Sequence, residues 1–241
     1  MELKLLIDCK GRKYLVEGEE MHTNMGIVKF ADTKNGKVKS HLGHEFSVLE
    51  PRIVDLYEKM PRAGSIILKK DLGAILAYTG LGTGDVVVDA GVGTGAIAIY
   101  LANIVRPTGK VYTYEIREKH AEIAKKNIAR ADLEEFVEVK LMDIREGIEE
   151  KEVDVVTLDL PEPWSVAASA YSALKHGGFI AAYTPYVEQT RRATESFKDI
   201  GFRDLKVLEL LERGLEIKEV GCRPKTRMLG HTAYLTFARK R

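Results

Sequence analysis

The sequence predicts an α/β protein, in which a doubly wound sheet, mostly parallel with an antiparallel C-terminal edge strand, follows a small β-rich N-terminal domain. Strand patterns alternate with helix patterns from residue 70 onward. Residues 86–88 are three consecutive valines, and a run without polar alternation is typical of a parallel strand that helices cover on both faces. The first 50 residues carry short alternating segments instead, so the predicted domains are 1–60 and 61–241.

Composition excludes several classes of protein. The chain has 241 residues, of which 45% are hydrophobic, and can therefore bury a full core. Two cysteines, Cys9 and Cys222, are too few for a disulfide scaffold or a cysteine metal cluster, so we expect a cytoplasmic protein without a bound metal. The first residues lack the pattern of a signal peptide, and the longest uncharged run, 90–105, is too short to span a membrane. With a net charge of +1, any nucleic-acid partner must be held by local basic patches.

The N-terminal segments have the pattern of a small antiparallel β module, because apolar and polar residues alternate between glycine-rich turns. Its predicted strands span residues 3–9, 12–17, 26–30 and 45–49. Prolines at positions 51 and 61 bracket a segment that we expect to be a connection.

The elements of the main domain follow from periodicity and helix caps. Asp71 is expected to cap a helix that ends at Thr79, with Gly80 directly behind it. Further helices are predicted over residues 96–105, 118–131, 164–174 and 187–200, and strands over residues 86–90, 110–115, 137–142, 153–158 and 178–184. Two last strands, at 205–211 and 233–238, are predicted to pair antiparallel across a long polar segment and to close one sheet edge.

The turn after the first sheet strand is the strongest sign of a ligand site. The strand ends at Asp89 and is followed by three glycines, Gly91, Gly93 and Gly95. Such a turn lets the backbone approach a nucleotide-like ligand, and the N-terminal amides of the helix that begins at Ala96 face it. Dinucleotide folds favour Gly-x-Gly-x-x-Gly, and the third glycine comes one residue early here, which disfavours NAD. Glu115 ends the second strand and is placed to accept hydrogen bonds from a ribose diol.

Two more carboxylates follow later strands. Asp143 either accepts from an exocyclic amine of a cofactor base, or caps the next turn and faces solvent. Asp159 opens a loop that two prolines stiffen, and a carboxylate beside a bound base accepts from its amine and stabilises developing positive charge. Trp164, the one tryptophan of the chain, either stacks on a substrate or packs in the core.

These residues resemble a class I S-adenosylmethionine-dependent methyltransferase, a family with a Rossmann-like sheet. The motifs are Asp-Ala-Gly-Val-Gly-Thr-Gly at 89–95 and Asp-Leu-Pro-Glu-Pro-Trp at 159–164. More narrowly, segments 183–185, 223–226 and 230–234 are similar to those of the tRNA adenine-N1 methyltransferases, which modify the T-loop at position 58 and, in some archaeal members, also at position 57. The resemblance covers most of the chain from about residue 60, and the small β module fits the family's architecture.

The resemblance implies a binding site for S-adenosylmethionine. The residues that it assigns to the cofactor are Ile67, Asp89, Gly91, Gly93, Thr94, Gly95, Ala96, Glu115, His120, Asp143, Ile144 and Asp159. The glycine turn would surround the methionine end, Glu115 would bind the ribose hydroxyls, and Asp143 with Ile144 would hold the adenine. For His120 a simple position on a helix surface remains the alternative.

The resemblance also implies that Asp159 is the catalytic residue, which orients the target adenine and favours the cationic 1-methyladenine product. Substrate contacts are assigned to Pro161, Trp164, Arg223 and His231. For His231 the favoured alternative is a histidine that is hydrogen-bonded beside the last strand. The N1 lone pair is already nucleophilic, so alignment and charge stabilisation are the main tasks, and the target base must be extruded from the folded RNA.

The partners expected from the resemblance are tRNA and further copies of the chain in a homotetramer. One departure from the family is Leu68, where an aromatic residue or histidine is usual. Two other functions stay open: methylation of a small molecule, such as a corrinoid precursor, or of a protein, and a noncatalytic tRNA-binding partner subunit. The proline-flanked Asp159 and the segment 223–234 argue against the first, and the intact glycines argue against the second.

Overall fold

A computed structural model describes residues 3–61 and 66–241 of the chain. It divides into two compact units, of which the first ends at Pro61 and the second contains the remaining residues. Within the described residues, no helix is both long and apolar enough to cross a membrane.

The first unit is an antiparallel β module, as predicted. Its strands are β1 (Leu3–Asp8), β2 (Lys13–Glu17), β3 (Glu20–Thr23), β4 (Gly26–Lys29), β5 (Lys37–Lys39) and β6 (Glu45–Leu49). Four of them form a sheet in the order β2-β1-β6-β5, and β3 pairs with β4 in a separate hairpin. Leu6, Val28 and Phe46 are completely buried between these strands. The prediction omitted β3 and β5, which are too short for an alternating pattern to stand out.

The sequence predicted a simple connection after this sheet. In the structure the segment contains helix α1 (Ile53–Lys59) instead. Asp55 explains the helix start, because its carboxylate accepts a hydrogen bond from the main-chain N–H of Arg52 and another from Lys13 on β2. A carboxylate in the first turn of a helix also interacts favourably with the helix dipole.

The second unit is built on a seven-stranded sheet, which confirms the predicted doubly wound α/β fold. Its strands are β7 (Val86–Ala90), β8 (Lys110–Glu115), β9 (Val137–Leu141), β10 (Val153–Leu158), β11 (Leu174–Thr184), β12 (Arg203–Glu209) and β15 (Tyr234–Arg239). They lie in the order β12-β15-β11-β10-β7-β8-β9, and β15 runs antiparallel to the other six strands. The C-terminal strand β15 was predicted at the sheet edge, but it lies between β11 and β12, so β12 forms the edge. The chain leaves β7 toward β8 on one side and later returns to β10 on the other. This reversal is the switch point at which doubly wound sheets bind ligands.

Helices cover the sheet on both faces: α2 (Lys69–Thr79), α3 (Ala96–Val105), α4 (Glu118–Arg130), α5 (Ala167–Ala173) and α6 (Val187–Ile200). Val87 and Val88 on β7 are fully buried, as expected for a central parallel strand. Ile99 and Leu101 of α3 are buried as well, so this almost entirely apolar helix packs deep in the core. The core thus fixes the position of the turn between β7 and α3.

Three predicted elements differ from the structure. Residues 164–174 form a short 3-10 helix, Pro163–Val166, before α5, and β11 begins at Leu174 rather than at residue 178. The polar segment before the last strand contains a hairpin of β13 (Leu215–Lys218) and β14 (Gly221–Pro224). Its side chains are mostly exposed, so no buried face marked it in the sequence.

Asp71 does not cap α2, which begins at Lys69 after Leu68. Instead, Asp71 is completely buried and accepts hydrogen bonds from the neighbouring Lys70 and from Thr232, just before β15. A buried carboxylate needs such hydrogen-bond partners, because they offset the free energy that it loses when it is removed from water.

Candidate functional site

A cavity of about 790 Å³ opens at the carboxyl ends of the central strands in the second unit. The glycine turn after β7, the end of β8 and the loop after β10 form its walls, and the turn between β11 and α6 completes them. Its size is within the range of roughly 300–1,000 Å³ that is typical of sites for small molecules and cofactors. It lies at the topological switch point of the sheet.

The glycine turn forms the floor of the cavity. Gly91 and Gly93 line it directly, whereas Thr94 and Ala96 are buried behind them. Gly95 has a φ of +83° and begins α3, and a Cβ atom there would lie 3.3 Å from Ala124 of α4. The carbonyl of Thr94 accepts a hydrogen bond from Asn127 of the same helix. Close packing against α4 therefore holds the turn, and only glycine fits at position 95.

Glu115 lies at the end of β8, beside the glycine turn. Its Oε1 accepts hydrogen bonds from the main-chain N–H groups of Ile116 and Arg117 and from the Arg117 side chain, and its Oε2 accepts one from the N–H of Gly93. Burial raises the pKa of Glu115, but the bonds from Arg117 and Gly93 outweigh it and leave the pKa below its ordinary value. Glu115 is thus a fixed, ionised acceptor on the cavity wall.

His120 projects from the first turn of α4 into the same region and lines the cavity. Its Nδ1 is 3.7 Å from Oε2 of Glu115. This nitrogen is buried and has no hydrogen-bond partner among the described residues. The structure thus favours a position on the cavity wall over the helix-surface alternative.

Asp143 caps the next turn, which is one of the two alternatives that the sequence left open, and it also borders the cavity. It lines the cavity, and its carboxylate also caps a short 3-10 helix by accepting from the N–H of Arg145. The Arg145 side chain holds the pKa of Asp143 below its usual range, with help from that main-chain bond. Ile144, directly after it, is buried against the cavity and supplies an apolar surface there.

Asp89 and Ile67 are buried but do not line the cavity. The Asp89 carboxylate lies within the sheet and accepts hydrogen bonds from Thr157 of β10 at 2.6 Å and from Thr113 of β8 at 2.8 Å. Burial raises the pKa of Asp89 to about 6 despite these two bonds. The carboxylate cross-links three neighbouring strands beneath the glycine turn, so its contribution to the site is structural support.

Asp159 stands on the opposite side of the glycine turn, at the start of the loop after β10. Its side chain is accessible from the cavity, yet protein atoms surround it closely enough that burial raises its pKa to about 6. Among the described residues, no side chain donates a hydrogen bond to its carboxylate. Leu160 and Pro161 continue the wall beside it.

Three of the four predicted substrate residues do not line the cavity. Trp164 lies beneath the guanidinium of Arg192, 4.2 Å from the ring centre, and lines a separate, smaller cleft. Arg223 lies on the exposed hairpin strand β14 and forms an ion pair with Glu216. His231 does not line the cavity either, but its Nε2 lies 2.7 Å from the carbonyl oxygen of Pro185, which does.

Several residues that line the cavity were not assigned to the site from the sequence. Arg117 and Arg145 flank the two carboxylates on the Glu115 side, and Tyr183 and Tyr186 line the other side. Gln189 of α6 joins two parts of the wall, because its amide donates to the carbonyl of Pro161 at 2.8 Å and accepts from the N–H of Tyr186 at 3.2 Å. For Arg117, Arg145 and Tyr186 the position shortly after the ends of β8, β9 and β11 was the available signal.

The cavity therefore has two chemically distinct halves. One half offers main-chain groups, the ionised Glu115 and the cap residue Asp143, which suit a ligand with a diol and an amino group. The other half offers the carboxylate of Asp159 between Pro161 and the tyrosines, which suits a flat ring that carries an amine. No group of three or more His, Cys, Asp or Glu side chains in residues 3–61 and 66–241 is arranged to hold a metal ion.

Comparison with known proteins gives concordant results. Residues 55–223 match the family model described as the tRNA methyltransferase complex GCD14 subunit. The tRNA (adenine(57)-N(1)/adenine(58)-N(1))-methyltransferase TrmI of Methanocaldococcus jannaschii is 42% identical, with 98% of this chain and 94% of the relative covered. The crystal structure of the tRNA (m1A58) methyltransferase TrmI of Aquifex aeolicus is 26% identical and superposes with a TM-score of 0.82 over 100% of this chain and 97% of that chain.

A third similar protein carries a different description. It is a SAM-dependent O-methyltransferase of Thermotoga maritima, whose crystal structure is 33% identical and has a TM-score of 0.89, with 99% of this chain and 92% of that chain covered. The alignments with these three proteins each cover both units of the chain.

Proposed function

The chain belongs to the GCD14 family of tRNA methyltransferases, and on this premise we propose that it transfers a methyl group from S-adenosylmethionine to N1 of an adenine in the T-loop of tRNA. Position 58 is the proposed target, and position 57 is proposed as a second one because the archaeal relative is described as modifying both. The catalytic and binding residues that follow are part of the proposal.

The residues of the first half of the cavity fit S-adenosylmethionine. The glycine turn would bring main-chain groups to the ligand. A Cβ atom at Gly91 would lie only 3.7 Å from the Glu115 carboxylate, so the turn and this hydrogen-bond acceptor are adjacent. Glu115 would accept from both ribose hydroxyls and Asp143 from the adenine amine, and His120 would contact the cofactor from the same side of the cavity. When bound, the cofactor supplies a sulfonium-activated methyl group.

The observation that carries the proposal is the carboxylate of Asp159 beside the glycine turn, to which no side chain in residues 3–61 and 66–241 donates a hydrogen bond. Methylation at N1 turns a neutral adenine into a cation, and a carboxylate that accepts from the exocyclic amine stabilises the developing charge. In a site of reduced solvent access this electrostatic effect is stronger than in water. Asp159 does not need to remove a proton, because the N1 lone pair attacks the methyl group directly.

Positioning is the second task of the acceptor half. N1 lies on the Watson-Crick edge, so the adenine must leave its place in the folded RNA and enter the cavity. Pro161 and Tyr186, joined through Gln189, form the wall on which the flat base would lie. Holding the reacting atoms in line replaces a bimolecular encounter and lowers the entropic part of the barrier.

We further propose that the protein acts as a homotetramer, in which basic patches of several subunits share the binding of one tRNA. The net charge of +1 offers little overall attraction for RNA. Exposed apolar residues around the β13–β14 hairpin are the surface proposed for contact with another copy: Leu211, Leu215, Ile217, Val220 and Leu229. Light scattering after size exclusion tests this state, and a monomeric active enzyme would overturn it.

The experiment that tests the function uses purified protein, S-adenosylmethionine and an unmodified tRNA transcript. We expect 1-methyladenine in the nucleoside mass spectrum, and no product from transcripts in which adenines 57 and 58 are both replaced by guanine. Single replacements show which position is used. Absence of 1-methyladenine at saturating cofactor would overturn the proposal, and methylation of a hydroxyl compound instead would favour the chemistry by which the Thermotoga protein is described.

A further inference from the structure

His231 lies between two hydrogen-bond acceptors, one of which belongs to the cavity wall. Its Nδ1 is 2.6 Å from Oε1 of Glu209, the last residue of β12, and its Nε2 is 2.7 Å from the carbonyl oxygen of Pro185. Pro185 follows β11 and lines the cavity on the side of Asp159. His231 therefore connects an outer strand of the sheet with the acceptor half of the site.

The two partners determine which form of the imidazole fits. A carbonyl oxygen accepts hydrogen bonds and does not donate them, and the same holds for an ionised carboxylate. Neutral imidazole has one N–H and would leave one acceptor facing a nitrogen lone pair, whereas imidazolium donates to both. The geometry thus selects the cation. In agreement, the pKa of His231 is raised, first by the bond to Glu209 and then by the bond to Pro185.

The groups around His231 come from three elements, and two of these carry charges. Glu209 of β12 favours the cation, and Lys70 of α2 opposes it. Lys70 is itself paired with the buried Asp71 at 2.7 Å, which offsets part of its effect. The ring of Tyr234 at the start of β15 packs beside the imidazole, with ring centres 5.0 Å apart.

The residue after His231 anchors the segment. Thr232 donates a hydrogen bond to Asp71 at 2.9 Å and accepts one from Lys70 at 2.7 Å. Asp71 is completely buried, so this end of the segment is fixed to the start of α2. His231 is consequently a side chain on an anchored backbone, and its bond to the carbonyl of Pro185 ties the turn after β11 to that backbone.

We propose that His231, as an imidazolium, is a positioning residue that holds Pro185 and with it the acceptor wall of the cavity for methyl transfer. The kinetic part of this inference rests on the proposed function, whereas the charged bridge itself does not. His231 does not touch the reacting atoms. It acts by keeping the β11–α6 turn, which includes Tyr186, at a fixed distance from the loop of Asp159.

The bridge can be tested without turnover by a proton NMR titration of the histidine Cε1–H signals, with the signal of His231 assigned through its loss in H231Q. We expect its midpoint above the ordinary value of 6.5 and a lower midpoint in E209Q, since removal of the carboxylate charge removes the main cause of the shift. A midpoint at the ordinary value that E209Q leaves unchanged would overturn the inference.

The positioning role is tested by kinetics of tRNA methylation. We expect H231Q to lower kcat roughly tenfold or more, because small misplacements in a site have effects of this size, with the Kd of S-adenosylmethionine unchanged. The matched control is H176Q, since His176 is exposed at the opposite end of β11. In wild type, kcat should fall as the pH rises through the His231 midpoint, and E209Q should move this fall to lower pH.

Each result decides a separate question. The positioning role would be overturned if H231Q had the kcat of the wild type. It would also be overturned if the fall of kcat at rising pH occurred at the same pH in E209Q as in the wild type. A change of cofactor affinity in H231Q equal to the loss of kcat would do the same, because it would indicate general damage to the site. If the wild-type protein forms no 1-methyladenine at all, the proposed function fails, and the NMR titration still decides whether the charged bridge exists.

Discussion

The main-chain N–H of Asp159 donates a hydrogen bond of 2.5 Å to the carbonyl of Ala90, the last residue of β7. This bond continues the parallel pairing of β7 with β10 by one residue beyond the end of the strands. Asp159 is therefore fixed directly beside Gly91, where the glycine turn begins. The sheet itself sets the spacing between the two halves of the cavity, so no flexible loop has to bring the methyl acceptor to the methyl donor.

Replacement of Asp159 should separate catalysis from cofactor binding. We expect D159A to lower kcat for tRNA methylation by about 10²-fold or more, because a group aimed at developing charge contributes about that much. The Kd of S-adenosylmethionine, measured by calorimetry, should stay within a few fold, since the glycine turn and Glu115 remain intact. An unchanged kcat would remove the catalytic role from Asp159, and an equal loss of binding would make it a cofactor residue.

The raised pKa of Asp159 predicts a pH dependence. Burial raises this pKa to about 6, so the carboxylate is protonated below that pH and can no longer stabilise positive charge. We expect kcat/KM, which reports the free enzyme, to rise with pH up to about 6 and to level off above it.

The control for this profile is D159N, which cannot titrate and should show no such rise in its residual activity. The distinction matters because the pKa of the neighbouring Asp89 is also raised by burial to about 6. A rise that persists in D159N would therefore assign the titration to Asp89 and to the stability of the sheet.

Glu115 should determine cofactor affinity rather than chemistry. In E115Q the amide keeps one acceptor but loses the charge, and hydrogen bonds to charged groups are worth about 1.5–3 kcal/mol. The Kd of S-adenosylmethionine should therefore rise on the order of tenfold to a hundredfold, with kcat at saturation nearly unchanged. The matched control is E118Q on the exposed start of α4, which should bind normally. Equal affinities of the two variants would contradict the assignment.

The donor half of the site was predictable because local patterns encode it. An apolar strand, a glycine turn and an acid at the end of the next strand are each visible in a short stretch of sequence, and the parallel fold brings strand ends to one edge. Glu115 and Asp143 therefore line the cavity as the pattern suggests. Asp89 was assigned to the ligand on the same grounds, but its carboxylate points into the sheet because two threonines offer it hydrogen bonds.

The acceptor half depends on contacts between distant segments, which no local pattern reveals. Asp71 has the residue type of a helix cap, yet it is buried because Thr232, 161 residues away, offers it a hydrogen bond. Gln189 and His231 reach the wall only because α6 packs against the sheet and β15 inserts between β11 and β12. Trp164 was assigned to the substrate with packing in the core as the alternative, and in the structure it packs against the core while Arg192 covers its ring. Such placements follow from the assembled fold.

Glycine at position 95 should be required for both stability and cofactor binding, in contrast to glycine at position 73. In G95A a residue with a side chain must adopt a φ of +83° while its Cβ lies 3.3 Å from the backbone of Ala124. Backbone strain of this kind costs about 1–3 kcal/mol, which corresponds to a fall in Tm of a few degrees or more for a chain of this size. The turn that faces the cavity must shift at the same time, so the Kd of S-adenosylmethionine should rise as well.

The control for this prediction is G73A. Gly73 lies within α2, is exposed, and has free space around a Cβ atom. Alanine there should raise the free energy of unfolding by about 1 kcal/mol, because it is the better helix former. Thermal unfolding and calorimetry of both variants check the contrast. If G95A unfolds and binds S-adenosylmethionine like wild type, the turn tolerates a side chain, and close approach of the backbone at position 95 is not what holds the cofactor.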